Sequence, residues 1–168
     1  MSTTRHTQIE TTMGAVTLLA DGGNLIGLYF DGHRGRPHPA ALGAFVRAEA
    51  DPVLTRATIQ LKEYLSGTRR GFDLPLAAVG DEFCQRVWGL LGQIPYGRTT
   101  TYGALAQAMG ERSWAQRVGQ AVGRNPLCVV IPCHRVIGAD GALTGYAGGL
   151  SRKHWLLALE EPAGSRLF

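Results

Sequence analysis

Residues 14–30 read GAVTLLADGGNLIGLYF: two apolar, strand-like runs separated by Asp21-Gly22-Gly23-Asn24. So short a break, made of residues that tolerate positive φ, turns the chain back on itself. The two runs are therefore expected to pair as an antiparallel hairpin, which commits the start of the chain to a sheet. Helices are expected after the hairpin. Residues 38–50 (HPAALGAFVRAEA) read as one helix, and residues 51–67 (DPVLTRATIQLKEYLSG) as a stronger one. In the second, Asp51 can cap, Pro52 suits the first turn and Gly67 stops it. FDLPLA (72–77) reads as a further strand, confined to an edge because Pro75 has no N–H. The first eighty residues thus describe a small α/β unit.

Beyond residue 80 the pattern changes. In DEFCQRVWGLLGQI (81–94), Phe83, Val87, Leu90, Leu91 and Ile94 fall on one helical face, with Asp81 as cap. IPYGR breaks that helix. TYGALAQAMG (101–110) and SWAQRVGQAVGRN (113–125) then form two short helical segments with a tight joint. Between residues 86 and 135 there are six arginines against one acidic residue, Glu111, while the whole chain carries a net +4. Two short helices in the most basic part of the chain fit a helix-turn-helix facing a polyanion; a solvated basic face fits the charge equally well. IGADGALTGY (137–146) reads as two short strands around an Asp-Gly turn, and AGGL as a flexible loop. SRKHWLLALE (151–160) reads as a closing helix, with Ser151 as cap and Trp155, Leu156 and Leu159 as its buried stripe. No internal repeat or low-complexity tract is present.

Between the helix-turn-helix and that loop stands IPCHRV (131–136), which pairs Cys133 with His134. Three readings apply: a nucleophile with its base, half of a metal site, or the end of a buried strand. Three cysteines (Cys84, Cys128, Cys133) do not make a disulfide framework. No second pair of ligands matches Cys128 and Cys133, so no metal is expected, and Cys84 and Cys128 read as small core residues. A thiol near its free pKa needs a base or a positive field to become a good nucleophile. His134 is the nearest base, although neighbours in an extended strand point apart; a bridging water would join them. A carboxylate that fixed the histidine would help. Glu160 is the candidate, placed where the helix macrodipole disfavours an anion; a solvated terminal glutamate is the alternative. With 45% apolar and 18% charged residues the chain can bury a core. It has no apolar leader and no run long enough to span a bilayer, so a cytoplasmic protein with no membrane partner is expected.

IPCHRVIGADGALTGYAGGLSRKHWLLALE resembles the active-site signature of the O6-alkylguanine-DNA alkyltransferases, and FCQRVWGLLGQIPYGRTTTYGALAQAMG resembles the helix-turn-helix segment that precedes it in that family. The likeness runs without obvious gaps from about Phe83 to Glu160; the first half of the chain fits only in outline. The resemblance implies an α/β domain over residues 1–80, ribonuclease-H-like, and a mostly α domain over residues 81–168, winged-helix-like.

It also implies roles. Cys133 would take the alkyl group from the guanine oxygen, with O4-alkylthymine as a second candidate substrate, once per molecule. His134 would draw off the thiol proton through a water, and Glu160 would orient His134. Tyr102 would press on the target phosphate and help protonate the leaving base. Asn125 would be the hinge between recognition helix and active site. Pro132, Tyr146, Ala147 and Gly148 would shape the alkyl pocket and its lid. Double-stranded DNA bearing alkylated bases would be bound through its minor groove by a monomer, with no cofactor. The small residues Ala115, Gly119 and Ala121 would allow close approach, with Arg117, Arg124 and Arg135 among the contacts.

Two departures stand out. Family members usually place an arginine where this chain has Gln116, with Arg117 one step on, about a hundred degrees around the helix. No cysteine precedes Cys84, so the N-terminal zinc of some relatives is not expected. Three rivals compete with transfer: a lesion-binding protein without it, a cysteine hydrolase, and a DNA-binding regulator with a merely buried Cys133.

Overall fold

In the computed structural model, which describes residues 3–162, the chain opens with β1 (Arg5–Thr11), β2 (Gly14–Asp21) and β3 (Asn24–Phe30). The hairpin forms where the turn residues place it: Asp21 pairs with Asn24, with Gly22 at φ 55 in the turn. β1 adds antiparallel to the other side of β2, and β4 (Ala44–Phe45) adds parallel to β1, giving the order β3-β2-β1-β4. β2 is an inner strand and is buried along Val16–Ala20, which explains why apolar residues fill both of its faces with only Thr17 among them. α1 (Pro52–Leu65) packs on the sheet through Leu54, Ala57, Leu61, Tyr64 and Leu65. Each fully buried leucine contributes about 1.5–3 kcal/mol. Asp51 caps α1 as expected, accepting from Val53 N and Leu54 N, and Gly67 ends it at φ 83.

One element is added to this unit and two expectations are corrected. β1 is an additional strand that the apolar pattern hides, because its outward side chains are polar and even Thr7 is buried. Residues 38–50 are not one helix. They form 3-10 turns at Pro39–Leu42 and Ala48–Ala50, with β4 between. Gly43 decides this: its φ of 68 breaks the helix, and a Cβ there would collide with Thr4 O. FDLPLA makes a single bridge, Leu25 to Leu76, beside β3 rather than a strand.

A second compact unit starts at Gly80. It contains α2 (Glu82–Leu91), β5 (Thr100–Thr101), α3 (Tyr102–Ala108), α4 (Ala115–Gly123), β6 (Val136–Ile137) and α5 (Leu150–Glu160). Asp81 caps α2 by accepting from Cys84 N. The buried face of α2 is Cys84, Val87, Trp88 and Leu91, rotated from the expected one, since Phe83 and Leu90 are only half-buried. Trp88 Nε1 donates to Ala121 O at 2.9 Å, tying α2 to α4. α3 and α4 pack together across a 3-10 turn at Arg112–Trp114, so the helix-turn-helix is present.

Two further readings are corrected here. The Asp140-Gly141 turn exists, but no second strand follows it; β6 pairs instead with β5, in parallel. α5 begins at Leu150 after Gly149 and is not capped by Ser151. Its buried residues are Lys153, Leu156 and Glu160, while Trp155 is 39% exposed. Among the described residues, no helix is long and apolar enough to cross a membrane.

Candidate active site

Asn125 starts the site. Its side chain donates to Ile131 O at 2.8 Å and accepts from Leu127 N at 2.9 Å, stapling residues 125–131 into a loop. Within this loop the buried Val129 has φ 74, a left-handed backbone that a β-branched residue adopts only when its surroundings impose it. Pro132, at φ −79 and ψ 66, makes an inverse γ-turn in which Cys133 N donates to Ile131 O at 2.7 Å. Cys133–Arg135 then form a single 3-10 turn. An extended strand would send Cys133 and His134 to opposite faces; a turn of three residues per revolution does not.

His134 is fully buried, with Nε2 2.8 Å from Glu160 Oε2. Arg135 forks onto the same carboxylate, Nε to Oε1 at 2.8 Å and Nη2 to Oε2 at 2.9 Å, and Nη1 donates to Ile94 O at 2.6 Å. Burial pushes the Glu160 carboxyl up to about 7, against the Gly97 N–H, and pushes Arg135 down to about 10. The two-point contact acts in the opposite sense and settles the charge: a guanidinium on both oxygens holds Glu160 as the anion. An ionised carboxylate only accepts, so Nε2 carries the ring proton and Nδ1 the lone pair. Burial, then the Arg135 and Lys153 charges, hold His134 well below its ordinary value, so it is a neutral base.

Cys133 is 4% exposed. Its thiol is held below its ordinary value, first by a hydrogen bond with Cys128, whose Sγ lies 3.8 Å away, and also by Asn125 and the Lys153 charge, against burial. Cys128 is pushed well up by that same bond and by burial. The Tyr146 hydroxyl is buried and faces both sulfurs without direct hydrogen-bond geometry. Lys153, fully buried, donates from Nζ to Thr144 O at 3.0 Å. Ala147 is half-buried and Gly148 buried in the turn before α5.

On the helix-turn-helix, Tyr102 lies against Gly119, where an added Cβ would stand 3.5 Å from its ring, and its hydroxyl accepts from Thr144 Oγ1 at 2.9 Å. Ala115, Gln116 and Arg117 follow one another at the start of α4. Gln116 is exposed, whereas the Arg117 guanidinium lies 3.8 Å above the Phe83 ring. Arg124, at the end of α4, is exposed and faces Asp81 and Cys84. Arg135, expected among the DNA contacts, is instead buried and engaged by Glu160 and Ile94. Among the described residues, no three of His, Cys, Asp and Glu converge as metal ligands.

Residues 4–78 match the ribonuclease-like domain of 6-O-methylguanine DNA methyltransferase, and residues 82–162 match the DNA binding domain of the same protein. A methylated-DNA--protein-cysteine methyltransferase of Mycolicibacterium paratuberculosis is 51% identical over 115 residues, covering 67% of this chain and 70% of the relative. The chain belongs to the 6-O-methylguanine DNA methyltransferase family. A Methanosarcina acetivorans methyltransferase is 47% identical over 112 residues, 67% of this chain and 72% of its own. Among solved structures, the O6-methylguanine methyltransferase of Mycobacterium tuberculosis is 38% identical with a TM-score of 0.81, covering 95% of this chain and 96% of that one. Mycobacterium tuberculosis OGT in complex with DNA is 40% identical with a TM-score of 0.83, covering 94% and 92%.

The structure brings Asn125 and Tyr146 to the Cys133 sulfur and Glu160 to His134, with Pro132 in the turn just before Cys133. Sequence reasoning missed two residues here, Cys128 and Lys153, and misplaced a third, Arg135. Lys153 had a signal, because Lys153, Leu156 and Glu160 recur at helical spacing and place two charges on the face that packs inward.

Proposed function

We propose that this chain repairs DNA by transferring the alkyl group of O6-alkylguanine to Cys133, irreversibly and once per molecule. The observation that carries this reading is the buried Glu160–His134 pair, with His134 next in the chain to the buried Cys133, within a member of the methyltransferase family. The damaged base leaves the duplex for the pocket, at a cost of a few kcal/mol. His134 Nδ1 takes the Cys133 proton through a water, and Glu160 balances the imidazolium that forms. The thiolate attacks the alkyl carbon, the carbon–oxygen bond breaks, and the electron pair leaves on the guanine oxygen. The Tyr102 hydroxyl helps protonate the leaving base. The product is a thioether, which water does not cleave.

DNA would be held through its minor groove, with α4 lying along it and Gln116 reaching towards the space of the flipped base. Arg117 and Arg124 support phosphate contacts that ignore sequence. The reacting groups all come from one chain, which suits a monomer, and three free cysteines suit a reducing, cytoplasmic setting. The test is to mix the protein with a duplex containing one O6-methylguanine and record intact and peptide masses. One methyl group on the Cys133 peptide, stopping at one per protein, is expected. Tight binding with no mass change would refute transfer and leave a lesion-recognition protein; repeated turnover would indicate a hydrolase.

A further inference from the structure

Cys128 is not consumed by the transfer reaction, yet its sulfur touches the atom that reacts. The Sγ–Sγ distance is 3.8 Å, and the two residues are 1% and 4% exposed. Cys128 is held firmly in place: it sits between the Asn125 staple and the strained Val129, and bridges to Ile131. A second acceptor, Asn125 O, lies 4.0 Å from its sulfur. A neutral thiol beside another neutral thiol gains little by donating to it. Once Cys133 is a thiolate, it becomes the better acceptor, because hydrogen bonds to an ionised partner are roughly twice as strong.

We propose that Cys128 is a catalytic residue, its S–H donating to the Cys133 sulfur and stabilising the thiolate that attacks the alkyl carbon. This rests on Cys133 being the nucleophile of the proposed function. Proton and electrons balance without a further reactant. The Cys133 proton goes to His134, Cys128 keeps its own, the sulfur–carbon bond forms and the pair from the broken carbon–oxygen bond stays on the base. After transfer the sulfur is a thioether, a weak acceptor. The Cys128 S–H then returns to Asn125 O, the residue that joins α4 to the active-site loop. The shifts of the two thiols agree with this role: Cys128 is pushed well up, by its bond to Cys133 and then by burial, while Cys133 is held below its ordinary value. The other groups acting on the Cys133 sulfur are Asn125 from the loop, Tyr146 from the turn before α5 and Lys153 from α5, while His134 is its neighbour in the chain. Substitutions at Cys128 leave all of them in place.

The test measures iodoacetamide labelling of the Cys133 peptide against pH in wild-type protein, Cys128→Ala and Cys128→Ser, with thermal melts as folding controls. In Cys128→Ala the labelling midpoint should rise by about one pH unit, a tenfold loss of thiolate below it. Cys128→Ser keeps an O–H donor and should stay near wild type. A midpoint unmoved by Cys128→Ala overturns the proposal. So does Cys128→Ser moving as far as an alanine variant, which would assign the effect to packing; this arm also serves if Cys128→Ala does not fold. The profile is read without DNA. Wild-type protein that never takes a methyl group from an O6-methylguanine duplex would therefore refute the proposed function separately.

Discussion

Glu160 Oε2 lies 2.8 Å from His134 Nε2, with both side chains shut away from solvent. The same carboxylate holds the Arg135 fork, so one anion at the end of the last helix serves the imidazole and the guanidinium together. The C-terminal end of a helix is unfavourable for a negative charge. Here the Arg135 cation and the Gly97 N–H offset it, and Gly97, at φ 80, brings its backbone close to this turn.

Glu160→Ala removes the partner of a buried guanidinium and should lower stability by about 3–5 kcal/mol, read from urea unfolding. Glu160→Gln keeps the volume but loses the charge and the second acceptor. It should fold and lose about 10²–10⁴ in single-turnover methyl transfer. A Glu160→Gln protein that transfers at the wild-type rate would remove Glu160 from the relay.

His134 gives a pH signature in stability. Its folded value is depressed well below 6.5 by burial, whereas the unfolded chain takes up that proton near 6.5. Its contribution is therefore complete above about 6.5 and is lost as pH falls towards the folded value. Comparing His134→Gln with wild type isolates the histidine. The melting temperature of wild type should drop relative to the variant between pH 7 and pH 5, and parallel curves would contradict a buried neutral His134.

Gln116 and Arg117 make a test of the helix-turn-helix. Arg117 is engaged over the Phe83 ring at 3.8 Å, with Trp114 at 5.8 Å, so it does not stand in for an arginine at position 116. Gln116→Arg should speed methyl transfer from duplex DNA about two- to fivefold, the size of an exposed cation–π contribution. Transfer from the free base should not change. An equal rate on duplex DNA would show that this position does not fill the gap.

The three thiols should separate by reactivity. Cys133 is held below its ordinary value, while Cys84 is pushed up by burial and then by Asp81, and Cys128 is pushed well up. At pH 7.5 iodoacetamide should therefore label the Cys133 peptide first, followed by mass spectrometry over time. Earlier labelling of Cys84 would invert the assigned electrostatics.

The sequence alone determined the hairpin at Asp21–Asn24, the capped helix from Pro52, the helix-turn-helix and the Cys133–His134 pair. Those rest on local rules: turn residues, caps and periodicity act within a few positions. The pattern misleads at residues 38–50 because a helical run of alanines is outweighed by Gly43 pressed against Thr4, a contact made 39 residues away in the chain. It misleads in α5 for the same kind of reason. Trp155 reads as core and Lys153 as surface, but the face that packs inward is chosen by Cys133, Thr144 and Arg135, residues outside α5. Only the tertiary structure could decide that Glu160 is a buried partner, that Arg135 is bound to it, and that Cys128 meets Cys133. Each depends on contacts whose strength comes from exclusion of water, and a sequence does not display which charges will be excluded together.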